Sequence, residues 1–400
     1  MLIQHLNRQL LERDAQSLRR SRRTVSSPCG PHQRVAVDGA ERVLLGFCSN
    51  DYLGLANHPA LSTALAEGAL RWGAGSGASH LISGHSQAHA DLEDELATWL
   101  SPFIPGAKAV FFGTGYLANL ALVTALGDTQ STVFADKLNH ASLIDGGLLA
   151  RAEMQRYAHG RLDVLEQQLQ RCTTPIRLIV TDAVFSMDGD LADLPALLDL
   201  AQRYDAWIIV DDAHGFGVLG ANGRGSLAHF GLCSERLIYM GTLGKAAGVA
   251  GAFVAAHPTV AEWLLQSGRS YIYTTATPAA IAHALCTSLA LIGGEQGERR
   301  RAQLRARIKQ LRDGVADIIA RRPSLGWRLP ESNTAIQPLI VGDNERALAM
   351  SAALDSQGLW VPAIRPPTVP AGTARLRITL SAGHSAEDVE RLLAALARTE

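Results

Sequence analysis

Residues 206–215 read Ala-Trp-Ile-Ile-Val-Asp-Asp-Ala-His-Gly, an apolar run that ends abruptly in two acids and a histidine. Such a run predicts a buried strand whose carboxyl end opens onto a site, because open α/β sheets bind their ligands beyond the carboxyl ends of strands. Three other segments repeat the pattern. Phe111-Phe112-Gly113-Thr114-Gly115-Tyr116 leads from a short apolar run at 109–112 into the helix-like stretch 117–126. Gly241-Thr242-Leu243-Gly244-Lys245 follows the run 237–240, and Thr181-Asp182-Ala183-Val184-Phe185-Ser186-Met187-Asp188-Gly189-Asp190 follows 178–181. Further strands are expected at 132–134 and 252–255, with helix-length segments between them. Buried apolar runs alternating with helices predict an α/β fold with a mostly parallel sheet covered on both faces.

Outward from this centre the pattern changes. At the start, Ile3, Leu6, Leu10 and Leu18 lie near helical spacing, and the segment ends in the basic cluster Arg19, Arg20, Arg22 and Arg23. Residues 24–34, with Pro28, Gly30 and Pro31, read as a connector into a short strand or hairpin over 35–47. Leu92, Leu96, Trp99 and Leu100 mark a helix face. After Gly293-Gly294 come an arginine-rich helical segment at 299–312, strands at 335–341 and 376–380, and a closing helix through Val389, Leu392, Leu393 and Leu396. The chain divides on this reading into an N-terminal helix with short strands (1–55), a large α/β domain (56–290) and a small α+β domain (291–400).

Composition narrows the partners. The 400 residues carry 37 Lys+Arg against 38 Asp+Glu, a net charge of -1, so no global field draws the chain to nucleic acid or to an anionic membrane. The apolar stretch 279–292 is interrupted by His283 and Thr287 and is shorter than the roughly 20 residues of a spanning helix. His5, Asn7 and Arg8 break residues 1–11, which therefore lack the run of a signal peptide; a cytoplasmic location is expected. Five scattered cysteines, none in a CxxC pair, predict neither disulfides nor a zinc knuckle.

The four loaded strand ends supply complementary chemistry. Small residues at 113–115 let backbone amides and a helix N-terminus face an anion such as phosphate. An acid at Asp211 can hold a protonated ring nitrogen, and His214 can hydrogen-bond a neighbouring oxygen. Lys245, followed by the small apolar residues 246–252, sits where an amine loses its charge readily.

Competing readings are weaker. A nucleotide-hydrolysing loop would need GxxxxGK followed by Ser or Thr, whereas Ala246 follows Lys245. The acids at 182–190 lack the spacing and final Glu of a calcium loop. Asp211 and His214 have no third metal ligand nearby, and Gly73-Ala74-Gly75-Ser76-Gly77-Ala78 is not a dinucleotide fingerprint. The spacing of His80, His85 and His89 could place two of them on one helix face, but without HExxH or a companion carboxylate pattern they read as satisfied structural histidines, and no metal is expected.

Taken in order, these motifs resemble the α-oxoamine synthases among the fold-type I pyridoxal-phosphate enzymes, from about residue 47 to the end. Ser49-Asn50-Asp51-Tyr52-Leu53-Gly54-Leu55, Asn139-His140-Ala141-Ser142, Val184-Phe185-Ser186-Met187-Asp188-Gly189 and Asp211-Asp212-Ala213-His214-Gly215 carry the resemblance. It implies pyridoxal 5'-phosphate as cofactor and the joining of an amino acid to an acyl thioester with loss of carbon dioxide. It implies that Lys245 holds the cofactor as a Schiff base and later acts as base, that Asp211 pairs with the ring nitrogen, and that His214 and Ser186 contact the phenolic oxygen. His140 would lie on the ring face, and Gly115, Tyr116 and Thr242 at the phosphate or ring rim, although the family commonly has Gly-Phe where this chain has Gly115-Tyr116. The segment 271–275, ending in Thr275, resembles one that reaches the phosphate of a neighbouring subunit, which implies a homodimer with shared sites; by composition alone it is a β-prone stretch.

The run 363–370, Ala-Ile-Arg-Pro-Pro-Thr-Val-Pro, with Arg375-Leu376-Arg377 after it, resembles the branch that uses L-alanine and a pimeloyl thioester, carried on CoA or on an acyl carrier protein. On that branch Arg365 is implied as the carboxylate clamp, Thr368 and Asn50 as substrate contacts, and Arg20 as the contact for the donor's negative groups.

Overall fold

The computed structural model describes residues 1–16, 18–37 and 39–399; Ser17, Asp38 and Glu400, which fall inside the first and last of the three expected divisions, lie outside the described residues. The first strands are β1 (Thr24–Val25), β2 (His32–Val37) and β3 (Ala40–Gly46). The central sheet is built from β4 (Lys108–Phe112), β5 (Ser131–Asp136), β6 (Glu153–Tyr157), β7 (Ile176–Asp182), β8 (Trp207–Asp211), β9 (Leu237–Thr242) and β10 (Ala252–Ala256). Last come β11 (Ile336–Gly342), β12 (Leu359–Trp360), β13 (Ala363–Ile364) and β14 (Ala374–Thr379).

The central sheet has the order β4-β10-β9-β8-β7-β5-β6, with β10 antiparallel to both neighbours and the pairs from β9 to β6 parallel. This is the mostly parallel α/β sheet that the apolar runs predict. Alternate side chains feed opposite layers: Phe111, Ile208, Val210 and Phe253 join one core, and Val110, Phe112, Ile209 and Val254 join the other. Full burial of each such side chain contributes about 1.5–3 kcal/mol, so both helical layers are fixed by the same strands. The carboxyl ends of β4, β5, β7, β8 and β9 consequently open on one edge.

Two smaller sheets complete the molecule. β1-β2-β3-β12 joins the N-terminal hairpin to the C-terminal part, with β12 parallel to β3, and β11-β14-β13 is antiparallel throughout. The loop 185–190 ties this part to the large sheet. Arg375 pairs with Asp188, Arg377 Nε donates to Ser186 O at 2.6 Å, and Ser332 and Thr334 hydroxyls donate to Gly189 O at 2.9 and 3.0 Å. Gly189 turns at φ +73°, and a Cβ there would lie 2.2 Å from Ile336 O, so only glycine permits this junction.

The structure departs from the sequence pattern in four places. β6, Glu153-Met154-Gln155-Arg156-Tyr157, carries no apolar run, because an edge strand has one hydrogen-bonding neighbour and tolerates a polar, half-exposed face. The connector 24–34 contains β1 and the start of β2. The β-prone segment 271–275 instead continues from a short helix, Arg269–Ile272, where tertiary packing of Tyr271 on the His80 ring, 4.9 Å between centroids, overrides propensity. The first helix, Leu2–Ala15, forms as expected, but none of its residues is buried and Leu18 lies beyond its end.

Candidate active site

The sheet edge gathers the residues singled out above. Of the four lysines in the chain, Lys108, Lys137 and Lys309 are exposed. Lys245 is half-buried as a residue, with its amine end enclosed, and Nζ lies 2.9 Å from His214 Nε2. Burial pushes the amine down to about 8, against the opposing pull of the nearby Asp211 and Asp182 carboxylates. His214 is buried among the charges of Lys245 and Arg377, and burial holds its imidazole well below the ordinary range, hence neutral.

Asp211 ends β8 and is gripped from two sides: Asn119 Nδ2 donates to Oδ2 at 2.7 Å and Ala213 N to Oδ1 at 3.0 Å. Asn119 lies one turn into the helix Gly115–Leu126 and also donates to Ser142 Oγ at 2.9 Å. Beside Asp211 in the β7–β8 register stands Asp182, whose carboxyl is held well above the usual range by burial and then by the facing Asp211. Asp182 Oδ2 accepts the His140 N–H at 2.6 Å and so fixes the start of the helix Ala141–Leu149. A second tie holds the same loops: His159 bridges Asp136 at 3.1 Å and Asp190 at 2.8 Å, and the hydrogen bonds that its ring donates to these two carboxylates push its imidazole up to about 10.

The anion cradle forms at the end of β4. Thr114 caps the helix Gly115–Leu126 by accepting from Leu117 N at 3.2 Å, which leaves the Gly115 and Tyr116 amides at its N-terminus to face a ligand. A Cβ on Gly115 would lie 2.7 Å from Thr242 Cγ2, so the close approach of the β9 end requires glycine. The Tyr116 hydroxyl turns away to Asp145. Thr242 itself donates to Ala213 O at 3.1 Å, and Ser186 and Asn50 are both gripped by Arg377, the latter at 3.4 and 3.5 Å.

The remaining predicted residues form a second group. Arg20, Arg365 and Thr368 line one cavity of about 240 Å³ together with Arg13 and Leu18. This is next to the core of the site in topology, since β13 pairs with β14, the strand that carries Arg375 and Arg377. Thr275 stands apart, exposed on the loop after the helix Arg269–Ile272. His80, His85 and His89 do converge, with ligand atoms within 4.8 Å. Both nitrogens of His89 are already engaged, by Ser86 N at 3.0 Å and Thr277 O at 2.7 Å, which leaves only two histidines for an ion.

Four residues of this arrangement were given no role of their own from the sequence: Asn119, and Asp182, Tyr52 and Arg377, which were read only as parts of longer motifs. Asn119 had a signal, as the lone amide in an otherwise apolar helix one turn after Gly115. Arg377 had a weaker one, as an arginine within an apolar strand.

A buried amine, a clamped carboxylate and an amide-lined cradle fit a group that carries an aldehyde, a basic ring nitrogen and a phosphate. Asn119 Oδ1 is buried without a hydrogen-bond partner among the described residues, so the polar lining is not consumed by the protein alone.

Known proteins agree with this chemistry. The family model for aminotransferase class I and II matches residues 42–396. The 8-amino-7-oxononanoate synthase of Leptothrix cholodnii is 72% identical over 403 residues, covering 100% of this chain and 99% of that protein. The serine palmitoyltransferase of S. paucimobilis, solved with a bound PLP-myriocin aldimine, is 28% identical with a TM-score of 0.89, covering 100% of this chain and 98% of that one. The 8-amino-7-oxononanoate synthase of Francisella tularensis is 30% identical with a TM-score of 0.74, covering 89% and 97%. Backbone similarity therefore does not separate the branches, since the palmitoyltransferase superimposes better than the Francisella enzyme, whereas full-length identity does. By that measure this chain belongs to the class I and II aminotransferase family, on its 8-amino-7-oxononanoate synthase branch.

Proposed function

We propose that this chain condenses L-alanine with a pimeloyl thioester, pimeloyl-CoA or pimeloyl-acyl carrier protein, giving 8-amino-7-oxononanoate, carbon dioxide and the free thiol carrier, a step of biotin biosynthesis. The observation that carries the reading is the enclosed Lys245 amine, 2.9 Å from His214, on the same sheet edge as the clamped Asp211. Pyridoxal 5'-phosphate, when bound, supplies an acceptor for the electron pair left when alanine loses its α-proton.

Lys245 would hold the cofactor covalently and, once released, take that proton. An amine near 8 is in part unprotonated at neutral pH and is a competent base there. Asp211 would keep a ring nitrogen charged, since Asn119 and Ala213 hold its carboxylate in place. His214 and Ser186 would meet the phenolic oxygen, His140 the ring face, and Gly115, Tyr116 and Thr242 the phosphate or ring rim. For Tyr116 only the backbone is free to serve, because its hydroxyl goes to Asp145. Arg365 would clamp a carboxylate in a planar fork that lysine cannot offer, with Asn50 and Thr368 along the substrate and Arg20 at the donor's negative groups. Arg377, beside Asn50, is a second guanidinium within reach of the same chemistry.

L-alanine, not glycine or serine, is expected to drive release of thiol from the pimeloyl donor. One methylene or hydroxyl is worth about 1–3 kcal/mol of discrimination, roughly 10- to 200-fold in kcat/KM. A side-by-side assay of the three amino acids checks this. Preference for glycine would move the chain toward the chemistry of 2-amino-3-ketobutyrate CoA ligase or 5-aminolevulinate synthase.

The reading carries with it a homodimer, in which Thr275 would reach the partner's phosphate, and a cytoplasmic location. Exposed Leu81, Ile82, Leu148, Leu149 and Tyr273 support such an interface. Among the described residues no helix is long and apolar enough to cross a membrane. Sedimentation is expected to give twice the chain mass, and Ile82→Asp is expected to shift it toward one; a monomeric wild-type protein with full activity would refute the shared site. The reading further divides the chain at 55/56 and 290/291, the second boundary falling inside the helix Ala279–Gly293.

A further inference from the structure

Tyr52 has no role in the scheme above, yet its ring is fully buried and its hydroxyl lies 2.5 Å from His214 Nδ1 and 3.2 Å from Asn50 Oδ1. His214 Nε2 in turn meets Lys245 Nζ at 2.9 Å. Asn50, Tyr52, His214 and Lys245 therefore stand in one hydrogen-bonded file, with Arg377 donating to Asn50 Oδ1 at its far end.

Donor and acceptor chemistry gives the ring proton of the file two positions. His214 is neutral, so one of its nitrogens bears a proton and the other is bare. An ammonium at Lys245 has only donors and needs a bare Nε2. The ring proton is then on Nδ1 and is donated to the Tyr52 oxygen, and the phenol proton goes on to Asn50 Oδ1. A neutral amine at Lys245 can keep donating to a bare Nε2, which leaves its lone pair without a donor from His214, or use that lone pair to accept from Nε2–H. Nδ1 is then bare and takes the phenol proton. A phenol serves in both arrangements because it donates and accepts, and burial, pushing its pKa up to about 12, keeps it protonated.

We propose that Tyr52 is a positioning residue that lets His214 move its ring proton between Nδ1 and Nε2 as Lys245 gains or loses charge. The neutral amine's lone pair then gains a donor and the ammonium never faces a ring N–H, so no polar group of the file is left unpaired in either charge state, a condition that buried polar groups favour. The charged groups facing Lys245 are Asp211, Asp182, Asp212 and Arg377, and those facing His214 are Lys245, Arg377 and His140. None of these can take the place of the phenol at Nδ1, which meets Tyr52 directly. The inference rests on the reading of Lys245 as the reactive amine.

Nitrogen-15 NMR of the cofactor-free protein, labelled at histidine, follows the His214 tautomer from about pH 6 to about 10, while competitive acetylation read by mass spectrometry titrates Lys245. In the wild-type protein the ring proton is expected to pass from Nδ1 to Nε2 in step with Lys245, at about 8. Tyr52→Phe keeps the ring and removes one oxygen. It is expected to hold the Nε2–H tautomer throughout and to lower the Lys245 titration by about one pH unit, raising amine reactivity at neutral pH roughly fivefold. A single His214 tautomer through the wild-type titration overturns the proposal whether or not Tyr52→Phe folds, and so does an unchanged Lys245 titration in the folded variant. Either result leaves Lys245 as the reactive amine. A Lys245 that titrates as an ordinary lysine, near about 10.4, would remove that assignment and the proposal with it.

Discussion

Replacing Lys245 with alanine is expected to abolish turnover while leaving the fold intact. Two functions are lost at once, the covalent hold on the cofactor and the base for the α-proton; a positioned base alone contributes roughly 10²- to 10⁴-fold, so a fall of at least about 10³-fold in kcat is expected. No other lysine can substitute, because Lys108, Lys137 and Lys309 are exposed elsewhere. Stability is expected to change little, since burial already disfavours the Lys245 ammonium and its removal relieves that cost as well as losing the stem's packing. The check is threefold: thiol release with L-alanine, a thermal melt, and peptide mapping after borohydride reduction of the holoenzyme. In the wild-type protein the reduced cofactor is expected on the peptide containing Lys245. A reduced adduct mapped elsewhere, or a Lys245→Ala enzyme within tenfold of wild type, would end the assignment.

The parts legible in the sequence share one physical origin. Strands of a sheet covered on both faces are buried, so β4, β5, β7, β8, β9 and β10 announce themselves as apolar runs, and the polar carboxyl ends of all but the antiparallel β10 mark the site. Gly115, Asp211, His214, Thr242 and Lys245 are all read that way. What escaped lies where burial and sequence period part company. β6 is an edge strand with a polar face, and Tyr271 packs on His80 from a helical turn although its neighbours favour strand. Tyr52 and Arg377 lie in motifs that were read, but their contacts escaped for another reason: their partners are 162 and 327 residues away in sequence, and nothing local marks a phenol or a guanidinium as aimed at His214 or Asn50. Asp182 was visible as a strand-end acid, but its pairing with Asp211 depends on the β7–β8 register, which only the folded sheet defines.

Asp211→Asn tests the other half of the chemistry, and it is expected to lower kcat by roughly 10²- to 10⁴-fold with a smaller change in KM for L-alanine. An amide is uncharged and cannot hold a ring nitrogen in its protonated form. It also fits the pocket badly: Asn119 Nδ2 and Ala213 N both donate to the native carboxylate, so an NH₂ in place of either oxygen meets a donor. Loss of the negative charge has a sign that can be read separately. Asp211 opposes the burial that pulls the Lys245 amine down to about 8, so its removal is expected to lower that titration further. The same loss takes away one of the effects holding the Asp182 carboxyl above its usual range, burial being the largest, and Asp182 should therefore ionise more readily. Steady-state kinetics across pH, with competitive acetylation of Lys245 in the cofactor-free variant, separates these effects. A kcat within tenfold of wild type would mean that the clamped carboxylate serves the architecture of the β8 end and not the reaction.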